Sequence, residues 1–348
     1  MNSTILTPVP LEGGLTTVPQ PVLQPLPGIR PLPAAERARS RHIAIAALSA
    51  FVAFVLFTLL AFHGYVAWML AYPYVAPLTS NPMEAKSLPY HDVQFQSASG
   101  KTTVDGWFIP AEKTSPKTVV FSHGYGANRE ETWVPMYELA ELVHRLNYNV
   151  LMFDYGYASS VHKTPATGGR EESQQLLAAV DYAKSQGAGE VIVWGFSMGA
   201  GTALQTALLT DEIDAMILDS TFLADTDTLY YNVQQIINLP RYPSVPLINS
   251  MLPLWTGTSL DHIPAEQIKH EAFPMPIYMI HGTSDSKAPY RTAEQISGFQ
   301  QNPLSRVWIV ENGQHEMLFR EHPKEYIQRA ALFLSQVESE PNQINNHL

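Results

Sequence analysis

Between residues 88 and 337 two apolar patterns take turns along the chain. Runs such as "KTVVFS", "YNVLMF", "EVIVWGF", "IDAMILDS", "MPIYMIHG" and "SRVWIV" are almost continuously apolar. Buried parallel strands read this way because both faces of their sheet are covered. In "WVPMYELAELVHRL", "EESQQLLAAVDYAKSQG", "MGAGTALQTALL", "TAEQISGFQ" and "PKEYIQRAALFLSQVE" the apolar positions return at helical spacing. "HDVQFQSASGKTTVDGWFIPA" reads as two antiparallel strands around Ser99-Gly100. The alternation predicts an α/β fold, a mostly parallel eight-stranded sheet with helices on both faces. Residues 221–272 break it with aromatics, prolines and short apolar pieces but no clear strand, which marks a lid or cap insertion.

The first 83 residues have a different texture. Residues 7–33 carry Pro8, Pro10, Pro19, Pro21, Pro25, Pro27, Pro31 and Pro33 and no aromatic residue, so residues 1–41 are expected to form a disordered Pro-rich tail. No Asp, Glu, Lys or Arg then occurs between Arg41 and Glu84. Ile43 to Phe62 alone spans about 30 Å as a helix, the thickness of a bilayer's hydrocarbon core. Arg37, Arg39 and Arg41 precede it, and Tyr65, Trp68, Tyr72 and Tyr74 follow it like an interfacial belt. The pattern predicts a transmembrane anchor over 42–72, crossing the bilayer with residues 43–62. The positive-inside rule then places the N-terminus in the cytoplasm and the domain 73–348 outside it. The alternatives are a cleaved signal peptide, which would need an unusually long charged lead, and a buried core helix, which would rarely stay apolar all round.

Charge and composition narrow the partners. The net charge is −11; residues 1–83, with four Arg and two Glu, carry +2, and the remainder carries −13. No Lys/Arg-rich run follows residue 83, which argues against nucleic-acid binding. Cysteine is absent, so disulfides, zinc-thiolate sites and a Cys nucleophile are excluded. The twelve histidines are scattered without an H-x-x-x-H helix, and no phosphate loop is present, so neither metal nor cofactor is expected.

The chemistry concentrates at the ends of the strands. "GFSMG" places Ser197 between Gly195 and Gly199, directly after one strand and before a small-residue helix. A serine on so sharp a turn needs glycine on both sides, because side chains there would collide. An alcohol is a weak nucleophile until a base takes its proton and an acid orients that base. In the order Ser, Asp, His, the loop after "MPIYMIHG" offers Asp285 and the loop after "VWIV" offers His315. Asp219 and His322 are the alternatives for acid and base. "FSHGYGAN" supplies a turn whose Tyr125 N–H, with the Met198 N–H at a helix N-terminus, can hold an oxyanion; Gly124 and Gly126 let the backbone approach. His123 and Asp154 read as structural hydrogen-bonding groups.

Taken in order, "DGWFIPA", "SHGYGANRE", "FDYGYASS", "GFSMGAG", "HGTSDSKAP" and "GQHEM" resemble the α/β-hydrolase superfamily over roughly residues 88–337. The likeness is to the branch of serine aminopeptidases and prolyl-oligopeptidase-like hydrolases, some of whose members carry one N-terminal anchor. One departure is that "DYGYASS" lacks the Arg and second Gly of the family's D-x-R-G-x-G-x-S. The resemblance implies an α/β-hydrolase domain over 73–348 with its cap at 221–272. The expected function is a membrane-anchored serine hydrolase acting on a small-molecule or lipid-like ester through an acyl-enzyme. An exopeptidase or acyl-peptide hydrolase, and a non-catalytic binding protein on the same scaffold, are the other readings.

Overall fold

The computed structural model describes residues 34–236 and 238–345. It falls into two units, residues 1–56 and 57–348. Of the tail expected over 1–41, residues 1–33 lie outside the described residues. Helix α1 (Ala34–Ala71) begins earlier than the predicted anchor. Ala35, Glu36, Arg37, Ala38 and Arg39 are strong helix formers, so the helix extends back through residues assigned to the tail. α1 is long and apolar enough to cross a membrane: its most apolar window has a mean hydropathy of 2.7 and is 0% buried.

The second unit is built on one eight-stranded sheet. Its strands are β1 (His91–Gln96), β2 (Thr103–Ile109), β3 (Lys117–Ser122), β4 (Asn149–Phe153), β5 (Glu190–Phe196), β6 (Ala215–Asp219), β7 (Ile277–Gly282) and β8 (Arg306–Val310). They lie in the order β1-β2-β4-β3-β5-β6-β7-β8. β1 pairs antiparallel with β2, and β2 antiparallel with β4; every other pair is parallel. The eight predicted strands are all present in this arrangement.

Side-chain alternation explains why both faces are covered. Along β5, Val191 and Val193 point to one face and Ile192 and Trp194 to the other, and all four are fully buried. The first face packs against α4 (Arg170–Ser185), α5 (Met198–Ala207) and α10 (Tyr290–Phe299) through Leu176, Ala203 and Ile296. The second packs against α3 (Met136–Arg145) and α12 (Pro323–Asn345) through Leu139, Val143, Tyr326 and Phe333. Two short helices also flank the fold, α2 (Pro82–Lys86) and α11 (Leu318–Glu321).

Residues 221–272 contain no strand among the described residues. They form α6 (Thr226–Ile236), α7 (Arg241–Met251), α8 (Pro253–Thr256) and α9 (Ala265–His270), with a 3₁₀ turn at Leu260–His262. Leu229, Val245, Ile248 and Leu252 of this cap make a small apolar cluster of their own, and Ala67 of α1 is its fifth buried member. The sequence pattern alone does not reveal this. The last turns of α1 belong to the globular unit, with Ala67 and Ala71 fully buried, because alanine lets the helix approach the cap closely.

Candidate active site

The parallel strands β3, β5, β6, β7 and β8 bring their C-terminal ends to one rim, and each candidate side chain hangs from the loop after one of them. Ser197 follows β5 with φ 49° and ψ −118°. A non-glycine residue rarely holds a positive φ, and the strain persists only where the surroundings enforce it. The enforcement is visible in the hydrogen bonds: the Ser197 amide donates to the Asp219 carbonyl at 2.9 Å, and the Phe222 amide donates to the Ser197 carbonyl at 3.0 Å. The flanking glycines are a steric necessity. A Cβ on Gly199 would stand 2.1 Å from the Ser122 carbonyl oxygen, and one on Gly195 would stand 2.7 Å from the Ala200 Cα.

The structure brings Ser197, His315 and Asp285 together. His315 Nδ1 lies 2.7 Å from Asp285 Oδ2, and His315 Nε2 lies 2.8 Å from Ser197 Oγ. An ionised carboxylate only accepts, so Nδ1 carries the proton and Nε2 is left free to accept from the serine hydroxyl. Asp285 Oδ1 accepts from the Lys287 and Ala288 amides at 2.7 and 2.8 Å, which fixes the carboxylate plane. Asp219 and His322 are elsewhere. Asp219 accepts from Tyr326 Oη at 2.8 Å and from Ser220 Oγ at 2.9 Å, and Ser220 Oγ in turn accepts from the Glu316 amide. Asp219 thereby ties the His315 loop to the end of β6. The His322 ring lies edge-on to Trp308 with centroids 6.2 Å apart.

The turn after β3 presents Gly124 and Tyr125. Among the described residues neither the Tyr125 nor the Met198 backbone amide donates to a protein acceptor. His123 sits beneath the turn: its Nε2 accepts from the Tyr155 amide at 3.1 Å and its Nδ1 donates to the Gly124 carbonyl at 3.0 Å. Burial lowers its pKa to about 4, so it stays neutral in this role. Asp154 accepts from the Arg129 backbone amide at 2.7 Å and from its guanidinium at 2.9 Å.

Three contributors are invisible to motif reading. His281, fully buried at the end of β7, places Nε2 3.0 Å from Asp285 Oδ2, so the acid is held by two imidazoles. Burial alone would raise the Asp285 pKa, but the hydrogen bonds from His281 and His315 outweigh it and hold the carboxyl below the ordinary carboxylate range. Glu316 Oε2 lies 3.8 Å from His315 Nε2 and accepts from Trp133 Nε1 at 2.6 Å. Glu131 accepts from the Gly124 amide at 3.2 Å, and its carboxyl and that of Glu316 both crowd against Gly124. Burial raises the pKa of both glutamates; for Glu131 the Glu316 charge adds to the rise, whereas for Glu316 the His315 charge and the Trp133 hydrogen bond offset part of it. For His315 burial works downward, but the Asp285 hydrogen bond and the Glu316, Asp285 and Asp219 charges outweigh it and raise the pKa.

A cavity of about 820 Å³ opens above these groups, lined by Ser197, His315, Tyr125 and Met198 on the sheet side and by Leu229, Leu252 and Leu260 on the cap side. That volume is within the range of about 300–1,000 Å³ of small-molecule sites. No group of three or more His, Cys, Asp or Glu with metal-binding geometry occurs among the described residues.

Residues 119–329 match the family model described as the alpha/beta hydrolase family. The chain belongs to that family. This alpha/beta hydrolase is 27% identical to the uncharacterized protein YfhR of Escherichia coli K12 over 232 residues, 64% of this chain and 72% of that one. It is 25% identical to the uncharacterized protein YqkD of Bacillus subtilis over 235 residues, 66% of this chain and 75% of that one. Its fold is shared with the esterase Pf2001 of Pyrococcus furiosus, with a TM-score of 0.62, 22% identity and coverage of 77% of this chain and 98% of the other.

Proposed function

We propose that this alpha/beta hydrolase is a membrane-anchored serine hydrolase that cleaves esters through an acyl-enzyme. The observation that carries the reading is the unbroken relay from Asp285 to His315 to Ser197, at 2.7 and 2.8 Å, on the floor of the cavity. Ser197 Oγ attacks the substrate carbonyl while His315 Nε2 accepts its proton. The developing oxyanion is received by the Tyr125 and Met198 amides, each donor being worth about 3–4 kcal/mol in such sites. His315 returns the proton to the leaving alkoxide, and water repeats the sequence on the acyl-enzyme. The esterase with the same fold is in keeping with an ester substrate.

Residues 42–72 act as the anchor, 73–348 as the catalytic domain and 221–272 as its cap in this reading. The support for anchoring is the length of α1 and the exposure of its apolar side chains, including Phe51, Phe54 and Phe57. Basic residues on its leading side support a cytoplasmic N-terminus with the catalytic domain beyond the membrane.

Purified full-length protein should hydrolyse p-nitrophenyl esters and take up a fluorophosphonate probe. Ser197→Ala should abolish labelling and lower kcat by about 10⁴-fold or more. A Ser197→Ala protein as active as the parent would overturn the assignment.

A further inference from the structure

The cavity above Ser197 has a wall that the bond-breaking steps do not use. Leu70, in the last turn of α1, lines it together with Leu229, Leu252 and Leu260 of the cap. Leu70 and Leu260 pack onto the same apolar cluster that holds Ala67, Leu229 and Leu252, so the helix end and the cap form one continuous surface. The helix end is also fixed to the catalytic machinery. A helix leaves its last carbonyls unpaired, and here the Leu70 carbonyl accepts from Tyr125 Oη at 2.8 Å while the Ala71 carbonyl accepts from the Ala166 amide at 2.7 Å. Tyr125 and Ala166 line the cavity themselves.

Asp225, the lining carboxylate just before α6, is paired: it is 2.9 Å from Lys269 Nζ and accepts from the Thr228 amide at 2.7 Å. The polar lining comes from the acid and histidine loops, with Ser284, Ser286, Lys287 and Gln314, and from the cap, with Asn232, Thr256, Thr258 and Ser259. Leu70, Leu229, Leu252 and Leu260 thus form one apolar wall, and the loops that carry Asp285 and His315 form a wet end. Upstream of Leu70 the helix exposes Phe57, Leu60, Phe62, Tyr65, Trp68 and Met69. Phe62, the last residue of the proposed span, is eight residues before Leu70, about 12 Å along a helix. Beside Leu252 the cap exposes Leu254 and Trp255 as well.

We propose that this cavity is an acyl-chain site and that the substrate is an ester of a long, unbranched fatty acid drawn from the lipid bilayer. The carbonyl sits at Ser197, the chain lies along Leu70, Leu229 and Leu252, and the alcohol portion faces the wet end. The inference rests on the reading of Ser197 as nucleophile and of α1 as anchor. It adds that the anchor is a wall of the binding site.

The test uses the full chain in lipid nanodiscs and a series of p-nitrophenyl esters from acetate to dodecanoate. A buried methylene is worth up to about fourfold in kcat/KM, so even half-effective burial of the eight added methylenes raises kcat/KM about 200-fold from acetate to decanoate. Leu70→Trp fills the cavity from the helix side and should lower the decanoate-to-acetate ratio at least about tenfold. Ala224→Phe fills it from the loop before α6 and keeps the test open where Leu70→Trp does not fold. Binding of 11-(dansylamino)undecanoic acid to the Ser197→Ala protein reads the site without turnover, and both filling substitutions should abolish it. A preference for acetate, or no binding of the dansyl probe, overturns the acyl site and leaves the hydrolase reading standing. Probe binding that the fillers abolish, without Ser197-dependent hydrolysis of any ester, upholds the acyl site and removes the hydrolase reading instead.

Discussion

Glu316 offers a quantitative test of how the site's charge sets its working pH. Its carboxylate oxygen lies 3.8 Å from His315 Nε2 in a buried setting. At an effective dielectric constant of about 20, two unit charges at that distance interact by about 4 kcal/mol. Solvent screening in the open cavity reduces this, so about 1.4 kcal/mol, or one pH unit, is the expected effect on His315. A nearby negative charge favours the imidazolium, and only neutral imidazole can accept the serine proton. Glu316→Gln should therefore lower the His315 pKa and move the acid limb of kcat/KM about one pH unit toward lower pH. Glutamine still accepts the Trp133 Nε1 hydrogen bond, so the loop keeps its support. The assay is p-nitrophenyl ester hydrolysis from about pH 5 to about pH 9. Glu131→Gln, which leaves the Glu316 charge in place, should not reproduce the change. A limb that stays where it was in Glu316→Gln, or moves to higher pH, would refute the electrostatic account.

Other perturbations test the scaffold. Gly199→Ala should leave little folded protein on thermal unfolding or in the soluble fraction, because its Cβ would meet the Ser122 carbonyl oxygen at 2.1 Å and this contact is to backbone. Arg129→Ala should cost about 3–5 kcal/mol in denaturant unfolding, since it leaves the buried Asp154 carboxylate without its ion partner. His281→Phe removes a donor from Asp285 and should lower kcat about tenfold and stability by about 1–3 kcal/mol, read by steady-state kinetics together with unfolding. Protease treatment of intact cells should release the catalytic domain; full protection without lysis would contradict the proposed orientation.

Much of this molecule could be read from its amino acids, and the reasons differ by element. The strands were legible because each is buried on both faces and so is apolar throughout, as along β5. The elbow was legible because its steric demand falls on two positions only two residues from the serine. His281 was not, since a buried histidine ending an apolar strand has no signature of its own, and only the fold shows that it faces Asp285. The Glu131–Glu316 pair joins residues from the loops after β3 and β8, a proximity that no local pattern encodes. The cap helices were hidden for another reason. Pro243, Pro246, Pro253 and Pro264 break the apolar period into pieces too short to register as helices. Their stability comes from packing on one another and on Ala67, not from intrinsic propensity.

The burial of Ala67 and Ala71 also bears on how the molecule can be taken apart. A fragment trimmed at the end of α1, the natural cut for making a water-soluble enzyme, would bare Leu229, Val245, Ile248 and Leu252 at once. Such a fragment would carry a sticky face over the mouth of its own cavity, prone to self-association. Retaining the stretch from Phe57, and shielding it with a detergent belt or a fused amphipathic partner, keeps the roof on.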